Sequence, residues 1–411
     1  MSTPQSIVII GGGLAGAKTA EALRDNGYEG SITLIAAEDH LPYERPPLSK
    51  EYMAGKVGFD KAIVHPAEWY KENNVTLRQG VRATAIDAGS RQVTVDDGGN
   101  TETINYDKLV LATGSAVRKL PIPGADASNV HYLRTVEDSD AIKATFGESK
   151  KLVLIGGGWI GLEVASAARG AGTDVAVLEG GKLPLLKVLG ETVAQVFADL
   201  HVANGVDLRT EVKITDIVTE DGRAVGVRLD DGEVVPADAV VIGIGVTPVT
   251  DLAESAGLEI DNGVLVDAAL RTSDPDIYAV GDIANHDHPV LGHRIRVEHW
   301  ATALNQPAAA VKSLLGKDAE FTNLPYFFTD QFDLGCEYVG HATGSQEKVF
   351  IRGNLETREF VAFWVDAENR ILAAMNVNVW DVPDQIKPLI ASGKSVDTEK
   401  LVDPEVPYSE L

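Results

Sequence analysis

A chain that twice runs from a short apolar strand into Gly-x-Gly-x-x-Gly and on into a helix has few folds open to it. The first pass is Ile7-Val8-Ile9-Ile10, then Gly11, Gly13 and Gly16, with helix formers from Ala15 to Arg24 and a β-branched run Ser31–Ile35. The second is Lys151–Ile155, then Gly156, Gly158 and Gly161, a helix over Ile160–Arg169 and a strand over Asp174–Leu178. Continuous apolar runs of this length suit strands buried on both faces of a parallel sheet. In such a unit the first glycine makes the tight turn and the second lets the backbone approach a pyrophosphate. The third lets helix and strand pack closely, with phosphate charge at the helix N-terminus. The two passes lie about 145 residues apart, which predicts an α/β protein with two Rossmann-like nucleotide-binding domains.

The copies are unequal. The second strand of the later copy ends in Val177-Leu178-Glu179, an acid 18 residues after Gly161. A carboxylate at that place accepts hydrogen bonds from an unphosphorylated adenosine ribose and repels a 2′-phosphate, so Glu179 points to NADH. Gly180 and Gly181 supply no cation, and Lys182 is the one nearby. The earlier copy ends Ile35-Ala36-Ala37, leaving Glu38 as the nearest acid. Glu38 either binds a ribose from a slightly different position or caps the next turn. Trp159, inside the second loop, either stacks over a nicotinamide subsite or packs in a domain interface.

Charge and cysteine content narrow the function classes. With 36 basic and 61 acidic residues the net charge is −25, which argues against a general nucleic-acid binder. The one cysteine, Cys336, allows no internal disulfide, dithiol redox pair or four-thiolate cluster. It reads as a small buried residue. His286, His288 and His293 lack the spacing and acidic company of a metal site, so no metal is expected. Met1-Ser2-Thr3-Pro4 leads straight into the first strand without a basic n-region, and no run reaches the ~20 apolar residues of a bilayer span. A cytoplasmic protein that does not enter membranes is expected.

Beyond Pro325 the pattern changes. Phe360–Val365 and Arg370–Val377, joined by Asp366-Ala367-Glu368-Asn369, read as antiparallel strands, and Asp384–Ser392 as a helix. A separate C-terminal α+β domain is expected over 323–411.

Across nearly its whole length the chain resembles the NADH-dependent ferredoxin reductases that serve bacterial oxygenases, with rubredoxin reductases and apoptosis-inducing factor as more distant relatives. The resemblance is carried by Pro42-Tyr43-Glu44-Arg45-Pro46-Pro47-Leu48-Ser49-Lys50, Leu111-Ala112-Thr113-Gly114 and Arg134-Thr135-Val136-Glu137-Asp138. It continues through Gly156-Gly157-Gly158-Trp159-Ile160-Gly161-Leu162-Glu163, Gly243-Ile244-Gly245, Ala279-Val280-Gly281-Asp282 and Val297-Glu298-His299-Trp300. It implies the fold of glutathione reductase without its disulfide. FAD is then held by Gly11, Gly13, Leu14, Ala15 and Gly16, with Glu38, Arg45, Lys50, Ala83, Thr113, Gly114, Arg134, Gly281, Asp282 and Trp300. NADH is held by Gly156, Gly158, Trp159, Ile160, Gly161, Glu163, Glu179 and Gly245. Thr113-Gly114 marks the crossover between the nucleotide domains, so the resemblance implies a discontinuous FAD-binding domain over 1–113 and 242–322 and an NAD-binding domain over 114–241. The resemblance places Glu163 beside Lys50, whose ammonium would stabilise the negative charge of a reduced flavin. Phe328 stands where relatives commonly have tryptophan near the flavin.

Without a cysteine pair, electrons must leave FAD directly, and a [2Fe–2S] ferredoxin feeding an oxygenase or cytochrome P450 fits. A typical ferredoxin is acidic, so a local basic face is expected at Arg294, Arg296 and Lys312. The chain itself is expected to be a monomer or weak homodimer. Rival acceptors are rubredoxin or a small molecule such as a quinone or monodehydroascorbate. A redox-regulated scaffold like apoptosis-inducing factor is a rival of another class, disfavoured by the acidity.

Overall fold

A computed structural model describes residues 4–343 and 348–411; Met1, Ser2 and Thr3 of the N-terminal reading lie outside it. The chain folds into two compact units. The first comprises Met1–Glu44, Asp60–Ala116 and Thr247–Pro325; the second comprises Arg45–Phe59, Val117–Val246 and Tyr326–Leu411.

In the first unit, Ser6–Ile10 is the central strand of a five-stranded sheet, flanked by Ser31–Ile35 and then Val75–Arg78 on one side, and by Lys108–Leu111 and Ile277–Ala279 on the other. All of these pairings are parallel. Ile7, Val8, Ile9 and Ile10 are all buried, which is why the run is apolar without alternation. The helix Leu14–Asp25 follows the first glycine loop, and the closing segment is the helix Trp300–Leu314.

The second unit repeats the plan. Lys151–Ile155 is central in a five-stranded parallel sheet with Asp174–Leu178, Asp207–Arg209, Ala239–Ile242 and Val130–His131. The C-terminal stretch adds a five-stranded antiparallel sheet in the order Tyr326–Gln331, Leu334–Gly340, Ile371–Val377, Glu359–Val365, Lys348–Asn354, with a helix at Pro383–Ser392. Most of 114–241 and of 323–411 falls within this one compact unit. The reason is a shared core. Leu189, Val193, Phe197 and Leu200 of the helix Leu186–Ala203 bury themselves with Tyr338, Phe360, Trp364 and Met375 of that sheet. No helix among the described residues is long and apolar enough to cross a membrane.

Buried histidines make the fold acid-sensitive. His286 is 1% exposed and its Nε2 has no hydrogen-bond partner. Burial, then the neighbouring His288 and Arg294, push its pKa down to about 3. The unfolded chain therefore takes up a proton near pH ~6.5 that the folded protein refuses until about 3. This contribution to stability is complete above pH ~6.5 and is lost as the pH falls towards 3. From this group alone, chemical denaturation should register a loss of about 2 kcal/mol between pH 7 and 5, which His286→Phe abolishes. An unchanged pH slope in that variant would refute the assignment.

Candidate functional site

The glycine loop of the first unit is built on contacts between main-chain atoms. A β-carbon on Gly11, at φ +125°, would stand 2.1 Å from the Ala112 carbonyl oxygen, and one on Gly16 would stand 1.9 Å from the Gly11 carbonyl oxygen. On Gly13, between them, it would meet no heavy atom within 4 Å. First and third glycines are thus demanded by packing, and the second opens onto the room a pyrophosphate needs. Leu14 and Ala15 start the helix and are buried. At the strand end, Glu38 Oε2 accepts a 2.5 Å bond from the Tyr43 hydroxyl. Ala83 lies in the strand Val81–Asp87 beside a register shift.

Other predicted FAD residues of this unit are fixed by hydrogen bonds. Gly281, at φ +79°, donates its N–H to Gln306 Oε1 at 2.8 Å, and a β-carbon there would crowd the Ala15 side chain at 3.1 Å. Asp282 follows in a short 3-10 turn, and its carbonyl accepts from Arg296 Nη1 at 3.0 Å. The indole N–H of Trp300 donates to Glu44 Oε2 at 2.7 Å. Thr113 Oγ1 donates to the Val249 carbonyl at 2.8 Å, and the Gly114 carbonyl accepts from Val249 N–H at 2.9 Å, so the crossover is clamped where its two strands of chain meet. These residues fit FAD: a pyrophosphate cradle with a helix N-terminus behind it, and a carboxylate at Asp282 suited to the ribityl hydroxyls.

The second unit repeats the cradle. β-Carbons on Gly156 (φ +105°) and Gly161 would lie 2.4 Å from the Gly243 and Gly156 carbonyl oxygens respectively, whereas one on Gly158 would meet nothing within 4 Å. Glu179 reaches into this loop: Oε2 accepts from Gly157 N–H at 2.7 Å and Oε1 from Gly181 N–H at 2.6 Å. The carboxylate is therefore already turned towards this glycine loop. Gly245, at φ +99°, accepts from Arg118 N–H at 2.9 Å. Ile160 is 44% exposed. Trp159 packs edge-on to Phe197 at 5.4 Å and against Phe327 at 4.9 Å, so its packing role has direct support.

Lys50 and Glu163 meet within the second unit. Lys50 follows the 3-10 turn Pro46–Ser49, where two prolines stiffen the backbone. The Ser139 hydroxyl holds that turn through a 2.7 Å bond to the Leu48 carbonyl. Ser139 belongs to the helix Val136–Lys143, whose N-terminus explains the Arg134–Asp138 motif. The Thr135 side chain accepts from Asp138 N–H at 3.3 Å, and the Asp138 carboxylate accepts from both Arg134 and Thr135 N–H at 2.9 Å. This is a capping box, and it presents the Arg134 carbonyl to Arg45 Nη1. Glu163 lies on the helix Trp159–Gly170, one turn beyond its start. Its Oε1 accepts from Lys50 Nζ at 2.7 Å and from Thr329 Oγ1 at 2.6 Å, and its Oε2 accepts from Ser49 Oγ at 2.5 Å. Both charged side chains are nearly enclosed, at 7% and 6% exposure, and Lys50 Nζ stands 5.3 Å from the Phe328 ring centroid. An ammonium so held is fixed in place.

Ser49, Thr329, Gln306 and Glu44 do not figure among the residues expected from the sequence. Ser49 and Glu44 sit inside the motif that ends at Lys50. Thr329 and Gln306 carry no local signal. One expectation needs correction: Arg296 is not a docking cation, because its side chain is 6% exposed and paired with Glu298 at 2.7 Å. Arg294 and Lys312 do remain exposed, although Arg294 Nη1 bonds the Val266 and Asn285 carbonyls.

Residues 5–307 match the family model described as pyridine nucleotide-disulphide oxidoreductase, and residues 326–411 match that described as reductase C-terminal. The chain belongs to the pyridine nucleotide-disulphide oxidoreductase family. It is 40% identical over 399 residues to the ferredoxin–NAD(+) reductase component of the anthranilate 1,2-dioxygenase system of Burkholderia cepacia, covering 97% of each chain. Among solved structures it is similar to the covalent putidaredoxin reductase–putidaredoxin complex, with TM-score 0.95, 35% identity and coverage of 100% of this chain and 98% of that one. It is also similar to the ferredoxin reductase for the CYP199A2 system from Rhodopseudomonas palustris, with TM-score 0.94, 34% identity and 99% coverage of both. The protein is thus an FAD-dependent pyridine-nucleotide oxidoreductase.

Proposed function

We propose that this chain is a cytoplasmic NADH-dependent ferredoxin reductase, passing electrons from NADH through FAD to a [2Fe–2S] ferredoxin that feeds an oxygenase or cytochrome P450. The observation that carries the reading is a disulphide-reductase architecture whose one cysteine is unusable. Cys336 is 1% exposed, and burial pushes its thiol pKa up, so no thiolate is available to relay electrons. Bound FAD supplies the ability to accept a hydride as an electron pair and to release electrons singly. In this assignment the loop at Gly11 with Asp282 and Trp300 holds FAD, over the domain 1–113 and 242–322. The loop at Gly156 with Glu179 holds NADH, over 114–241. Lys50 keeps a fixed positive charge for the flavin ring, and Glu163 holds that ammonium and meets the nicotinamide carboxamide. The named relatives, a dioxygenase-system ferredoxin reductase and a reductase joined to its ferredoxin, support the acceptor.

Steady-state reduction of cytochrome c, assayed with and without an added [2Fe–2S] ferredoxin, tests the reading. Dependence on the ferredoxin is expected, and equal rates without it would overturn it. Glu179 supplies a second test. NADH is preferred over NADPH in kcat/KM, and Glu179→Ala lowers the NADH value about 10–100-fold, since hydrogen bonds to a charged group contribute ~1.5–3 kcal/mol each. Comparable kcat/KM for both nucleotides in the unaltered enzyme would remove Glu179 from this role.

A further inference from the structure

Glu163 is the end of a buried polar chain that neither the motifs nor the proposed roles account for. Thr329, which donates to Glu163 Oε1, is 1% exposed. Its oxygen accepts from Gln331 Nε2 at 3.2 Å, and Gln331 Oε1 lies 2.9 Å from His201 Nε2. Gln331 and His201 are both 0% exposed. His201 comes from the helix Leu186–Ala203 and the other two from the strand Tyr326–Gln331, so two elements of the second unit bring the chain to a third, the helix bearing Glu163.

The bonds have one consistent direction. The Glu163 carboxylate accepts from Lys50 Nζ on Oε1 and from Ser49 Oγ on Oε2, and the Thr329 hydroxyl donates to Oε1. The Thr329 oxygen then has lone pairs left for the Gln331 amide N–H, which turns the Gln331 carbonyl towards His201. His201 must therefore carry its proton on Nε2. Its Nδ1 has no partner, and the ring lies edge-on to Phe332 at 5.1 Å, surroundings that favour a neutral imidazole. The tautomer of His201 thus sets the orientation of the Gln331 amide. With that amide reversed, the Gln331 carbonyl would compete with Glu163 for the Thr329 proton.

We infer that Thr329, oriented by Gln331 and His201, is the positioning residue that holds the Glu163 carboxylate, and through it the Lys50 ammonium, in one geometry. Without Thr329, Oε1 keeps Lys50 as its single donor, and the carboxylate is held by Ser49 and Lys50 alone, which leaves its tilt about the last torsion less restrained. The inference rests on the reading of Lys50 and Glu163 as the pair that serves the flavin and nicotinamide.

The experiment is stopped-flow reduction of the FAD-loaded enzyme by NADH, paired with urea unfolding of the same variants. Thr329→Val is expected to lower the limiting rate about tenfold with little change in the NADH concentration at half-saturation, and Thr329→Ser to restore it. His201→Leu frees the Gln331 amide to reverse and should reproduce most of the loss. Gln331→Leu removes the competing carbonyl and should cost less than His201→Leu. In unfolding, Thr329→Val and Glu163→Ala should be non-additive, because they remove two ends of one bond. Wild-type rates in Thr329→Val, failure of Thr329→Ser to recover, or strict additivity would each overturn the positioning role. If Glu163→Gln itself reduces at the wild-type rate, the reading of the pair falls and takes the inference with it. A slow Glu163→Gln beside a normal Thr329→Val would defeat the inference alone.

Discussion

Glu163→Gln and Lys50→Met are each expected to slow reduction of the flavin by NADH by about 10²–10³-fold, the scale of losing one preorganised charge at a reacting centre. Their stabilities should diverge from their rates. Glu163→Gln leaves the Lys50 ammonium, whose side chain is 7% exposed, without its carboxylate partner, with the Phe328 ring at 5.3 Å and the Asp330 carboxylate within electrostatic reach. An uncompensated buried charge costs about 3–5 kcal/mol. Lys50→Met is milder, since the Glu163 carboxylate keeps its Ser49 and Thr329 donors. The double variant Lys50→Met/Glu163→Gln removes both charges together and should recover most of the stability and none of the rate. That split separates chemistry from folding: a fast double variant would mean that the pair is a structural clasp. Urea unfolding and single-turnover kinetics on the same preparations measure both quantities.

The glycine loops give the second large effect, and it is a double dissociation. Gly11→Ala should purify largely free of FAD, whereas Gly156→Ala should keep FAD and lose at least ~10²-fold in kcat/KM for NADH. Each substitution sets a β-carbon against a main-chain carbonyl, 2.1 Å from Ala112 O in one case and 2.4 Å from Gly243 O in the other. Neither obstacle is a flexible side chain, so the loop itself must shift. The backbone is also at φ +125° and +105°, where an alanine is strained by a further ~1–3 kcal/mol. Displacement of this size removes the main-chain donors from the pyrophosphate they are meant to meet. Gly13→Ala and Gly158→Ala meet no such contact, so they should leave stability unchanged and weaken nucleotide binding only through the space their β-carbons take from the pyrophosphate. The flavin-to-protein absorbance ratio, read beside NADH kinetics, decides the matter. A Gly11→Ala protein with full flavin content would show that this loop does not hold FAD.

Much of this architecture is legible in the residue order. Strands Ser31–Ile35, Lys151–Ile155 and Asp174–Leu178 fall where the apolar runs place them, because burial on both faces of a parallel sheet leaves an unbroken signature. The first helix begins at Leu14 and the second at Trp159, one residue earlier than the helix formers alone suggest, since the glycine loop turns directly into the helix. The C-terminal sheet is legible as strands yet not as part of the second unit, because its shared core with Leu189, Val193 and Phe197 depends on a long-range docking. Arg296 illustrates the same limit. A cation in a polar stretch reads as surface, and only its partners Glu298 and the Asp282 carbonyl show that it is enclosed.

The residue order by itself determined the features that act within a few positions of one another. These are the glycine turns, the strand that carries Glu179 to its loop, and the lack of a second thiol. Backbone dihedral preference and hydrophobic period are local, so short spacings express them. The tertiary structure alone decided the Lys50–Glu163–Thr329 cluster, whose members lie 113 and 166 positions from Glu163 along the chain. It also decided the seating of Trp159 among Phe197 and Phe327, and the chain of bonds back to His201. Contacts at such separations exist only once packing has spent the conformational entropy of the intervening chain, and no spacing rule records them.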